Sequence, residues 1–138
     1  MNALDLYQTK THANDGTEVR FVYDPEADML DIFFGENEPA TGIELTDYIV
    51  LRLNQLTRRA VSLTLLHFSI LTEGTVYGPR SYPLSRLDEL PEDLQEVVLQ
   101  VITAMPVSQF LKVSHFQASP TERIPFTYVE SQPVMVMA

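Results

Sequence analysis

The chain reads as an α+β domain, and two patterns predict that class. Strand-like alternation, with turn signals every eight to twelve residues, runs from Val19 to Ile70, and one stretch of helical spacing follows from Pro91 to Met105. With 138 residues, 45% of them apolar, the chain can bury one real core, and two independent domains would be a strain. The expected architecture is an antiparallel meander of about five strands, an amphipathic helix over about 91–105 packed on it, and two further C-terminal strands. Residues 19–138 are read as a single domain, and the polar 1–18 segment as a loosely held tail.

Each element has a local cause. In the first strand Val19, Phe21 and Tyr23 share one face, with Arg20 and Val22 on the other. The next, Met29 to Phe34, places Leu30, Ile32 and Phe34 together. Its other face carries Met29, Asp31 and Phe33, so that face is only partly solvated. Asp24 and Pro25 supply the turn between these strands, the first by accepting from backbone two residues on, the second by presetting φ. Gly35 to Pro39 is a turn, Ala40 to Leu45 a short strand, Thr46-Asp47 a turn into Tyr48 to Leu53, and Asn54 to Arg59 a further reversal. Ala60 to Ile70 is nearly continuous in hydrophobicity, as expected of a central strand.

After Gly74 the pattern changes. Gly78-Pro79 and Tyr82-Pro83 make an irregular connection, and Pro91, Glu92 and Asp93 open a helix whose stripe is Leu94, Val97, Val98, Val101, Ile102 and Met105. Pro106 stops it. Val107 to Phe116 and Arg123 to Val129 read as strands flanking the Ser119-Pro120 turn, and the final Pro133 to Ala138 is apolar.

Charge and composition remove whole classes of function. Nineteen acidic residues against nine basic ones give a net charge of −10, a field that repels nucleic-acid phosphates and anionic headgroups, so neither nucleic acid nor membrane is an expected partner. With no cysteine there is no disulfide, thiol nucleophile or thiolate metal site. No signal-peptide pattern is read in residues 1–14, and the expected location is the cytoplasm.

Tyr23-Asp24-Pro25-Glu26-Ala27-Asp28-Met29-Leu30-Asp31-Ile32 and Ala60-Val61-Ser62-Leu63-Thr64-Leu65-Leu66-His67-Phe68-Ser69 resemble the opening and the close of the bacterial domain family DUF2283. That family typically opens on Tyr-Asp-Pro-x-x-Asp-x-Leu-Tyr-Ile and closes on Ile-Val-Gly-Ile-Glu-Ile-Leu-Asp-Ala-Ser. The resemblance covers about Val19 to Ser69 and implies a β-rich unit with no accepted activity. Some members look like partners of small toxin-like proteins. The chain departs from the pattern at Asp31, where the family has Tyr, at Thr64 and His67, where it has acidic residues, and at Ser62, where it has Gly. Any function of those acidic positions is expected to be lost or altered here, and residues 71–138 are an extension outside the resemblance.

Candidate sites are sparse. Asp24, Glu26, Asp28 and Asp31 form the densest carboxylate cluster, but Met29 occupies the glycine position of a calcium loop and Gly35 the place of its bidentate Glu. Turn chemistry accounts for these residues, and no metal or cofactor is expected. His12, His67 and His115 show no ligand spacing. Ser62, Ser69, Ser108 and Ser114 have no nucleophile elbow around them, because the five glycines are dispersed. Tyr77, Arg80, Tyr82 and Arg86 combine binding-prone side chains with two prolines, and Val134 and Val136 mark a β-forming apolar end; these six are the expected partner-binding residues. The expected function is that of a non-catalytic protein interaction module, self-associating as a homodimer. Its alternatives are an antitoxin-like acidic partner of a small basic toxin, and a metal-assisted enzyme built on His67, His115 and the Asp24 to Asp31 cluster.

Overall fold

Six strands pair antiparallel in one sheet: β1 (Tyr7–His12), β2 (Glu18–Asp24), β3 (Met29–Phe34), β4 (Thr41–Thr46), β5 (Ile49–Asn54) and β6 (Arg59–Leu66). The computed structural model describes residues 6–71, 74–75, 78–79, 81–119 and 122–129. A single helical turn, α1 (Phe68–Leu71), follows β6, and two short strands, β7 (Gly74–Thr75) and β8 (Gly78–Pro79), pair with each other. β9 (Ser81–Pro83) leads through a 3-10 turn at Ser85–Glu89 to α2 (Glu92–Ile102), then a second 3-10 turn at Val107–Gln109, β10 (Leu111–Ser119) and β11 (Glu122–Val129). The last two strands form a three-stranded sheet in the order β10-β11-β9. The α+β class holds, with six strands in the main sheet rather than five.

The sixth strand is β1, in the segment expected to be a polar tail. All six of its residues are exposed, so it carries no burial period, and its stability comes from backbone pairing with β2 from Tyr7↔Tyr23 to His12↔Glu18. The turn after it is well formed. Asp15 Oδ1 accepts from the Thr17 amide at 3.0 Å, Ala13 N–H donates to the Thr17 carbonyl at 2.8 Å, and Gly16 takes φ +90°. The ring of Tyr7 stacks on that of Tyr23 at 6.5 Å.

The sheet order is β1-β2-β3-β6-β5-β4, so the chain leaves β3, passes over two strand positions to β4, and returns through β5 to set β6 beside β3. This is a Greek key rather than a simple meander. The six residues between β3 and β4 are held chiefly by the side chain of Arg59. Arg59 Nη1 donates to the Phe34 carbonyl at 2.6 Å, its Nη2 donates to the Glu36 carbonyl, and Nη2 also pairs with Glu38 Oε2 at 3.0 Å. Asn54 donates from Nδ2 to the other Glu38 oxygen at 2.9 Å. These two contacts, Asn54 first and Arg59 second, hold the Glu38 carboxyl below its usual pKa. Gly35 takes φ +65°, and a Cβ there would stand 3.1 Å from Arg59 Nη1, so the backbone conformation favours glycine and any side chain would press on the guanidinium.

One face of the sheet is the core. Leu30, Ile32, Phe34, Leu45, Ile49, Leu51, Leu53, Leu63 and Leu65 are buried there together with Val98, Val101 and Ile102 of α2. α2 begins one residue later than expected, with Pro91 as its N-cap and Glu92 and Asp93 in the first turn, and it ends at Ile102. Thr103 terminates it by donating from both its amide and its hydroxyl to the Leu99 carbonyl. Met105, read as part of the stripe, is 36% exposed because it lies beyond that stop. Phe110 closes the core against Phe21, edge to face at 5.5 Å, and against Phe34 at 6.1 Å.

A second clasp joins the start of β3 to the end of β6. Asp28 adopts φ +53°, and its carboxylate accepts from the Tyr23 hydroxyl at 2.8 Å, the Ser69 hydroxyl at 2.6 Å and the Ser69 amide at 3.1 Å. Its own carbonyl accepts from Phe68 N–H at 2.9 Å. The Ser69 hydroxyl contributes most to holding the Asp28 carboxyl below its ordinary pKa, and the Tyr23 hydroxyl, the Ser69 amide and His67 act in the same direction against desolvation.

Two predictions follow from these clasps. Arg59→Met leaves carbonyls of the crossing without their donor and should destabilise the fold by about 1–3 kcal/mol in urea unfolding, with Gly35→Ala also destabilising. The Asp28 carboxyl has a folded pKa below its unfolded value, so its stabilisation is present above the unfolded value near 4 and is lost as pH falls through the folded one. Asp28→Asn tolerates the positive φ and should lower stability at neutral pH while flattening its decline in acid, read from denaturant midpoints across pH.

Candidate interaction surface

Because side chains alternate along each strand, the strand register that builds the core also builds a second, outer face. Two rows cross it from β1 to β4. One is Gln8, Val22, Asp31, Thr64, Val50 and Glu44; the other is Lys10, Arg20, Phe33, Ser62, Arg52 and Gly42. Val22, Asp31, Thr64 and Val50 are half-buried, as are Arg20, Phe33 and Arg52, and none of them joins the core cluster. The guanidinium of Arg20 lies 4.5 Å from the centre of the Phe33 ring. Ser62, set between Phe33 and Arg52 in the same row, is only 2% exposed, so this position leaves little room for a larger side chain.

The electrostatics of this face differ from those of the chain as a whole. Its two rows hold Lys10, Arg20 and Arg52 against Asp31 and Glu44, a near balance, whereas the full chain carries −10. The cations lie in one row and the carboxylates in the other. Asp31 sits opposite Thr64 across β3 and β6 and accepts from its hydroxyl at 2.5 Å.

The sequence-predicted site residues fall elsewhere. Arg86 is half-buried and its donors are engaged: Nε and Nη2 donate to Asp47 Oδ1 at 3.0 and 2.5 Å, and Nη1 lies 3.3 Å from Glu44 and 3.7 Å from Glu89. Asp47 and then Glu44 raise its pKa further, so Arg86 ties the 3-10 turn to the β4 edge. Tyr82 pairs with Thr127 in the sheet of β9 and β11. Tyr77, Arg80, Val134 and Val136 lie outside the described residues. His67 is exposed at φ +53°, its ring against Tyr48 edge to face at 5.5 Å, and His115 pairs with Pro125 in the other sheet. Asp24 Oδ1 accepts from the amides of Glu26 and Ala27 at 3.0 and 3.3 Å, which is turn chemistry.

Among the described residues no three His, Asp or Glu side chains converge to hold a metal ion. Nor is any described helix long and apolar enough to cross a membrane. A surface cleft of about 430 Å³ lies between the β1–β2 turn, the β5–β6 turn and the end of α2, with Ala60 and Val101 among its lining and Asp15 and Arg58 beside them. Arg58, at φ +57°, donates to Gln100 across this cleft, and Arg59 is committed to Glu38, so both of its arginines serve the fold.

Arg20, Phe33, Val50 and Arg52 were not singled out by motif reasoning because no motif contains them. The available signal was the second face of β3, where Met29 and Phe33 flank Asp31 without the polarity that water demands. No curated protein and no solved structure matches the chain. Residues 20–69, from β2 to the Ser69 that Asp28 clasps, match the family model described as a protein of unknown function (DUF2283), and the rest of the chain lies outside that match.

Proposed function

We propose that this protein is a non-catalytic, cytoplasmic protein-binding module whose contact surface is the outer face of the six-stranded sheet. The carrying observation is the double row that sets Arg20, Phe33 and Arg52 beside Val22 and Val50, half-exposed and outside the core. Arginine and aromatic residues are enriched where protein interfaces concentrate their energy, and strand residues hold them in place at little ordering cost. Arg86, in contrast, has its donors committed within the chain.

A second reading rests on charge. The −10 field would speed encounter with a basic protein, as an antitoxin-like partner of a small basic toxin requires. Both readings meet one experiment. Tagged wild-type protein is recovered from its host beside Phe33→Glu on the outer face and Leu56→Glu at the 95% exposed β5–β6 tip, with thermal melts confirming that both variants fold. The bound chain, whether a second copy or another protein, should be retained with wild type and Leu56→Glu and lost with Phe33→Glu. Equal recovery with Phe33→Glu, or no bound chain with any of the three, overturns the surface; a small basic protein as the bound chain selects the antitoxin version.

A further inference from the structure

Resting on that reading of the outer face, we infer that its partner is a second copy of this chain, stacked face to face about a two-fold axis that runs across the strands between the two rows. The argument is charge complementarity read from the strand register. An axis in this direction lays the row of Asp31 and Glu44 over the partner's row of Lys10, Arg20 and Arg52. Asp31 on β3 is then offset sideways by only one strand spacing, about 4.8 Å, from Arg20 on the partner's β2, so the two side chains can meet across the gap between the sheets, and the same contact repeats with the copies exchanged. Glu44 stands in the same relation to the partner's Arg52. An axis parallel to the strands would instead lay the cationic row on itself and set like charges together.

The apolar residues fit the same arrangement. Val22, Phe33 and Val50 lie among the charged positions and can fill the roughly 10 Å between stacked sheets. Local balance also makes this surface suited to self-contact in a chain of net charge −10, where an acidic patch would repel its copy. Six strands of about six residues present a face of about 29 by 20 Å, with Glu18 and Asp24 of β2 at its two rims, so two copies would bury about 1,200 Å² in total, just above the ~1,000 Å² of a specific interface. The dimer is therefore a weak, reversible one.

Sedimentation velocity on the purified full chain, from low to several hundred micromolar, tests the inference. Wild type should rise from the 15.7 kDa monomer towards twice that mass with concentration, and less so at high salt. Arg20→Glu and Asp31→Lys, each confirmed as folded by its thermal melt, should each weaken self-association about tenfold or more by setting like charges together. Mixing the two variants should restore the dimer, because each two-fold contact then pairs opposite charges. If Asp31→Lys does not fold, Asp31→Asn takes its place in the mixture and should rescue Arg20→Glu in part. A wild-type chain that stays monomeric throughout overturns the second-copy inference, while loss of a bound host protein in Phe33→Glu would still support the face itself. Single variants that dimerise like wild type, or a mixture that stays monomeric, overturn the two-fold arrangement.

Discussion

The guanidinium of Arg59 holds the connection on which the sheet order depends. A chain leaving β3 by a short turn would ordinarily pair its next strand alongside, but here it crosses to the far edge and leaves β6 to fill the place beside β3. The crossing is short and exposes carbonyls that no strand can pair. Arg59, at the start of β6, takes the carbonyls of Phe34 and Glu36 and the carboxylate of Glu38 with one planar group. Arginine suits this task because its donors form a rigid fork, where lysine offers a single point charge. Gly35 leaves room for that fork to approach the backbone.

Once β6 lies beside β3, two consequences follow on opposite sides of the sheet. On the core side, Leu63 and Leu65 meet Ile32 and Leu30 and complete a surface that α2 covers with Val98, Val101 and Ile102. On the outer side, Thr64 and Ser62 meet Asp31 and Phe33, and the two rows become continuous from β1 to β4. The clasp of Asp28 on Ser69 fixes the same pair of strands at their other end. Conformation and charge cooperate there, since Asp28 in a left-handed conformation presents its carboxylate to both the hydroxyl and the amide of Ser69.

The family-like segment and the extension divide these tasks. Residues 20–69 contribute four complete strands and most of a fifth, together with both clasps, whereas α2 and the 3-10 turns supply the layer that covers the core face. Arg86 belongs to this second group, anchoring the Ser85–Glu89 turn to Asp47 and Glu44 at the β4 edge. The outer face is therefore a property of the sheet, and the extension is what gives the sheet an inside.

Periodicity is a local property, so the sequence by itself determined the α+β class, five of the six main strands within two residues at nearly every end, and the helical stripe that meets the core. It also supplied the Asp24-Pro25 turn, because turn chemistry acts over a few residues, whereas α2 stops at Ile102, three residues before the end that its stripe and Pro106 predict. Three things were left to the tertiary structure. β1 has no burial pattern to read, since an exposed edge strand is held by its neighbour's backbone. The order of the strands is a long-range property, braced by Arg59 reaching 25 residues back to Phe34, a contact that no window of sequence contains. The outer face exists only in register, where Arg20, Phe33 and Arg52, scattered over three strands, come into one row because pairing sets the height of each strand against the next.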